Sequence, residues 1–146
     1  MLNIVTLGEK MRSDLIMVVD DDEDLRHLYV DALKTKGFKV QSYSNTREAL
    51  DEIRDDPRKY RLVISDVMMK QMNGPVFANK IKEINREMKV ILISGFDYKT
   101  MDLSDSRYDK FVQIPVTLWE FFSAVNEVLE IPPQLESNRV TCMNDL

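Results

Sequence analysis

Short apolar runs alternate along the chain with stretches in which apolar residues recur every third or fourth position, so the pattern switches repeatedly from strand-like to helix-like. The runs at 15–19, 40–43, 62–65, 90–94 and 111–114 have the length of strands. Between the first two, 23–36 sets Leu25, Leu28, Tyr29, Ala32 and Leu33 on one helical face and stops before Gly37, a residue suited to a left-handed helix end. A second helix is predicted from Asn45, with Glu48 at the capping-box position and Ala49, Leu50 and Ile53 inside. A third follows Gly74, with Pro75 in its first turn and Phe77, Ile81 and Ile84 as its inner stripe. The clearest helix starts at a Thr117-x-x-Glu120 cap and carries Leu118, Phe121, Phe122, Val125, Val128 and Leu129 at helical spacing, with Trp119 as an expected anchor of its first turn. The segment 96–109 is polar and shows the faintest helical pattern.

Strands that alternate with helices, and that are apolar almost throughout, predict a parallel sheet covered on both faces by right-handed crossovers. The fold class is therefore α/β, a doubly wound five-stranded sheet. In such sheets the ligand sits beyond the carboxyl ends of the strands, where the strand order reverses. Residues 1–14 and 131–146 lack a clear period and are expected to be a peripheral extension and tail around one domain at 15–130.

Composition narrows the function. A chain of 146 residues, 44% hydrophobic, supports one domain with a core. A net charge of -5 with no basic stripe argues against a nucleic-acid partner. No stretch approaches the roughly 20 apolar residues of a membrane span. A lone cysteine, Cys142, and no signal-peptide layout lead us to expect the cytoplasm.

The strand ends carry Asp20, Asp21 and Asp22, then Asp66, then Ser94, then Ile114-Pro115. Two carboxylates about 4 Å apart repel by roughly 4 kcal/mol at an effective dielectric near 20, so such a cluster needs a cation or a proton. Hard oxygen ligands suit Mg²⁺, with Mn²⁺ as the alternative. Asp22 and Glu23 read first as helix-capping acids, and His27 as an exposed helix residue. Met68, Met69 and Met72 read as gap-fillers.

The segments Val18-Val19-Asp20-Asp21-Asp22, Val63-Ile64-Ser65-Asp66-Val67-Met68-Met69 with Met72-Asn73-Gly74, Ile91-Leu92-Ile93-Ser94-Gly95 and Phe111-Val112-Gln113-Ile114-Pro115 resemble, in order, the motifs of response-regulator receiver domains of two-component signalling. The resemblance covers about 15–130. It implies a flavodoxin-like strand order of 2-1-3-4-5 and a phosphoryl group accepted on Asp66 from a histidine kinase or phosphotransfer protein. It also implies a metal held by Asp20, Asp21, Asp66 and the backbone carbonyl of Met68, with Ser94 following the phosphoryl group. Such a domain is a phosphoacceptor that promotes its own transfer and slow dephosphorylation, and is otherwise not an enzyme. Too little chain follows the domain for an output module, so it is expected to stand alone and signal to a partner protein through residues 97–130, Asp97 at one end and Glu130 at the other.

One position departs from the family pattern. The lysine expected before the last motif's proline is Ile114, which can neither donate a hydrogen bond nor offset charge. Lys70, and behind it Lys110, are candidate replacements. The Ile114-Pro115 bond is expected to be cis by analogy with the family. Phe111 takes the aromatic switch position. Met68 and Phe96 flank the acceptor and are expected to shield its phosphoryl group from water. Two other functions compete: a receiver-like module that binds its partner regardless of phosphorylation, which Ile114 favours, and a haloacid-dehalogenase-like phosphatase. The latter needs Asp-x-Asp-x-Thr/Val where this chain has Asp20-Asp21-Asp22-Glu23-Asp24.

Overall fold

The computed structural model describes residues 15–95, 103–104 and 106–132. Five parallel strands, β1 (Leu15–Val19), β2 (Lys39–Tyr43), β3 (Tyr60–Asp66), β4 (Lys89–Ser94) and β5 (Lys110–Gln113), form one sheet in the order β2-β1-β3-β4-β5. The order reverses between β1 and β3, whose carboxyl ends therefore flank a crevice. Four helices are described: α1 (Glu23–Thr35), α2 (Thr46–Asp55), α3 (Gly74–Ile84) and α4 (Leu118–Leu129). The helix expected within 96–109 falls largely outside the described residues, and those of its positions that are described are not helical.

Strand side chains alternate between faces, and the core divides accordingly. Ile16, Val18, Leu62, Ile64, Ile91, Ile93 and Val112 pack on one side with Tyr29 and Leu33 of α1 and Phe121, Val125 and Leu129 of α4. Met17, Val19, Val63, Val90 and Leu92 pack on the other with Ala49, Leu50 and Ile53 of α2 and Phe77, Ala78 and Ile81 of α3. Stacking of Tyr29 on Phe121, with centroids 5.5 Å apart, ties α1 to α4.

The predicted caps of three helices form. Asp22 caps α1, accepting from the Leu25 N–H at 3.0 Å; Asn45 caps α2; and Thr117 with Glu120 closes a capping box on α4. The third helix starts at Gly74 rather than after it, capped by Asn73, which the sequence reading did not single out. Gly37 has a φ of 89°, as expected past a helix end. Three side chains are placed differently from the sequence reading. Leu28 is 53% exposed, Leu118 57% and Trp119 67%, because Tyr29 and Leu33 fill the α1 seam and Phe121 and Phe122 that of α4. Trp119 is therefore an exposed first-turn residue and not a buried anchor.

Gly74 fixes the turn behind Asp66. A Cβ added there would lie 2.6 Å from the Asp66 carbonyl oxygen and 2.8 Å from the Val67 Cα, both backbone atoms that cannot swing aside. Its N–H also donates to the Val67 carbonyl at 2.7 Å. Gly74→Ala is expected to cost about 1–3 kcal/mol in a urea titration, as overpacking does; a loss below about 0.5 kcal/mol would show instead that the turn yields.

Candidate functional site

β1 and β3 deliver three carboxylates to one place. Ligand oxygens of Asp20, Asp21 and Asp66 lie within 4.8 Å of one another, with Asp20 buried, Asp66 half-buried and Asp21 exposed. Asp20 follows β1 and is 2% exposed; its Oδ1 accepts the Asp22 N–H at 2.9 Å. Asp66 is the last residue of β3, and its Oδ1 accepts the Met68 N–H at 3.3 Å. Asp21 Oδ2 accepts the Lys70 backbone N–H at 3.0 Å, which ties the loop after β3 to the loop after β1. Asp22 stays outside the cluster as the α1 cap.

This arrangement is electrostatically costly. Burial first, then the charges of Asp66, Asp21 and Asp22, push the Asp20 carboxyl up to about 6 against the opposing Asp22 N–H. Burial likewise raises Asp66, partly opposed by the Met68 N–H and helped by Asp21 and Asp22. The field reaches Tyr29, whose hydroxyl is pushed up to about 12 by its own burial and then by Asp20, Asp66 and Asp22. Three close oxygen donors, two of them with raised pKa values, make a donor set that suits a small divalent cation such as Mg²⁺.

Ser94 ends β4, fully buried, one residue beyond Ile93, the register partner of Asp66. The Ile114 N–H donates to the Ser94 carbonyl at 2.9 Å, which fastens the end of β5 beside the site. The Ile114-Pro115 bond is cis. Ile114 packs with the α1/α4 core, and its Cγ1 lies 3.6 Å from where a Cβ on Gly95 would stand. Half-buried Phe111 joins the opposite core, 6.4 Å from Tyr108 between ring centroids. Met69 and Met72 pack against that core as gap-fillers, whereas Met68 is 49% exposed. Phe96 lies outside the described residues.

The two lysines considered as replacements separate. Lys110 starts β5 level with Ile91, three residues short of Ser94, and its Nζ pairs with Glu127 at 2.8 Å. Its charge is taken up away from the site, a pairing that spacing along the chain does not reveal. Lys70 is exposed and touches the cluster through its backbone N–H. The residue that sequence reasoning passed over is Arg26, whose Nη1 donates to the Asp20 carbonyl at 2.8 Å. A signal was present: side chains in a first helical turn lean toward the N-terminus, so an arginine four residues after the cap reaches back over it.

A large cleft of about 1130 Å³ lies at the other end of the sheet, lined among others by Arg61, Lys82, Arg86 and Lys89. Several of its cations are already engaged, Arg61 with the Leu129 carbonyl and Lys82 with Asp109. Size therefore does not mark the acid site.

A family model described as the response regulator receiver domain matches residues 16–126. The response regulator receiver protein CpdR of Brucella abortus is 27% identical over 116 residues, 78% of this chain and 95% of that protein. The sensor kinase CckA of the same organism is 28% identical over 81% of this chain but only 13% of its own length. Among solved structures, the response regulator TrrA of Thermotoga maritima in complex with Mg²⁺-BeF is 28% identical with a TM-score of 0.72, covering 81% of this chain and 99% of that one. A CheY-like receiver from Methanospirillum hungatei, 21% identical with a TM-score of 0.73 over 81% of this chain and 94% of its own, shares the fold. With the strand order, the acid cluster at the β1/β3 crevice and a matching family model in agreement, the chain belongs to the response regulator receiver domain family of two-component signalling.

Proposed function

We propose that Asp66 accepts a phosphoryl group from a phosphohistidine on a histidine kinase or phosphotransfer protein, and that the phosphorylated domain signals to a partner protein through residues 97–130. The observation that carries this reading is the convergence of Asp20, Asp21 and Asp66 at the strand-order reversal. An Asp66 oxygen attacks phosphorus as the P–N bond breaks. The bonding pair leaves on the imidazole nitrogen, and Asp66 becomes a mixed anhydride. Asp20, Asp21 and Asp66, with the Met68 carbonyl, would hold Mg²⁺, which when bound offsets charge on the phosphoryl oxygens. Mn²⁺ meets the same ligand preferences. The Met68 N–H on Asp66 Oδ1 orients the carboxylate, and the Ser94 hydroxyl stands one residue past the acceptor's register partner, where it would follow the transferred group.

The relatives support this reading. CpdR is a response regulator receiver protein of which this chain covers 95%, and TrrA was solved with Mg²⁺-BeF. The match to a part of CckA supports a kinase-linked pathway. The competing reading, a module that binds its partner without phosphorylation, draws on Ile114, which packs into the core and offers the site no charge.

Incubation with acetyl phosphate and Mg²⁺ followed by intact mass measurement separates the two. One phosphoryl adduct is expected, absent when EDTA replaces the metal. No adduct under conditions that label another receiver would favour the phosphorylation-independent module.

A further inference from the structure

We propose that Arg26 supplies the positive charge at the phosphoryl end of the site and so acts as a positioning residue for transfer to Asp66. This role rests on the reading of Asp66 as acceptor. Three carboxylates converge there, and a phosphoryl group adds further negative charge. The side chain at the end of β5, Ile114, is apolar and packed, Lys110 is paired with Glu127 at the far end of that strand, and Lys82 and Lys89 are held by Asp109 at the start of β5.

Arg26 is placed differently. It is half-buried in the first turn of α1, and its guanidinium donates to the carbonyl of Asp20, the buried member of the cluster. Covalent geometry alone then puts its charge within about 8 Å of the Asp20 carboxylate, a range over which partly buried charges still interact. The α1 cap holds the helix start in place, since Asp22 takes the Leu25 N–H through its side chain and the Arg26 N–H through its carbonyl at 3.0 Å. A guanidinium has five N–H donors in a rigid fork, so the bond to Asp20 leaves others for a phosphoryl oxygen. Arg26 thus combines a structural clamp on the β1 end with a positive charge beside the acid cluster.

The test separates the clamp from the charge. Rates of Asp66 labelling by acetyl phosphate with Mg²⁺ are compared for the full chain, Arg26→Gln, Arg26→Lys, and Arg26→Gln combined with Ile114→Lys, with thermal unfolding of each as a folding control. Arg26→Gln keeps a donor without the charge and is expected to slow labelling at least about tenfold, toward the ~100-fold lost when one preorganised donor is removed elsewhere. Arg26→Lys should recover much of the rate. Ile114→Lys, which brings a cation to the same crevice from the β5 side, should recover part of it in the Arg26→Gln background. Equal labelling of Arg26→Gln and the parent overturns the proposal while leaving Asp66 as acceptor. A slowed Arg26→Gln that neither lysine restores makes Arg26 a clamp alone and overturns it as well. A parent chain that takes no phosphoryl group removes both readings together.

Discussion

Asp66→Asn is expected to take up no phosphoryl group from acetyl phosphate or a kinase, a complete loss against the single adduct expected of the parent chain. The amide has no charged oxygen to attack phosphorus and cannot form a mixed anhydride. The fold should survive, because an asparagine Oδ1 can still accept the Met68 N–H that Asp66 Oδ1 now accepts at 3.3 Å. Removing one charge also relieves a carboxyl whose pKa is raised by burial and by Asp21 and Asp22. Unchanged or higher thermal stability alongside lost labelling would show that chemistry, not folding, was removed. An adduct of parental stoichiometry on Asp66→Asn would place the acceptor elsewhere.

Asp20→Asn is expected to stabilise the metal-free domain near pH 7 while weakening Mg²⁺ binding at least tenfold. Its carboxyl is raised from 3.8 to about 6, chiefly by burial. The folded state therefore holds the proton more tightly than the unfolded chain. Below about pH 4 both states are protonated and the group costs nothing; as pH climbs through about 6, the folded state must bury a charge, and stability falls. With about 1.4 kcal/mol for each unit of pKa, that loss is on the order of 2–3 kcal/mol at neutral pH. Asparagine retains the acceptor for the Asp22 N–H and removes the charge. Urea titrations in EDTA at several pH values should show the parent losing stability between about pH 4 and 7 and the variant losing much less. Saturating Mg²⁺ should restore the parent and leave the variant almost unmoved. A variant less stable than the parent in EDTA would mean that the carboxylate is already compensated within the protein.

Much of this was legible in the chain because two periodicities and one topological rule suffice for it. Apolar runs located all five strands to within a residue or two, and the 2-1-3-4-5 order expected from the family resemblance places Asp20 and Asp66 at the reversal. Caps read from side-chain chemistry, Asp22, Asn45 and Thr117, are the caps observed. The failures have a common cause. Leu28 and Leu118 fit the helical spacing and Trp119 the place of an anchor, yet all three are exposed, because each helix has only one seam against the sheet, filled by Tyr29 and Leu33 in α1 and by Phe121 and Phe122 in α4. The pairing of Lys110 with Glu127 and the reach of Arg26 to the Asp20 carbonyl depend on how elements meet, which spacing along one element does not encode. Ile114 was visible as a departure, but its place in the α1/α4 core became visible only with the packing of β5.

Locating the phosphoryl group tests the assignment of Asp66 as acceptor most directly. The labelled chain is reduced with borohydride, which converts an aspartyl phosphate to homoserine, then digested, and the peptides are sequenced by mass spectrometry. Homoserine is expected at Asp66, with unmodified aspartates at Asp20, Asp21 and Asp22. Homoserine at one of those three with Asp66 intact, or phosphate on Ser94 surviving reduction, would contradict that assignment.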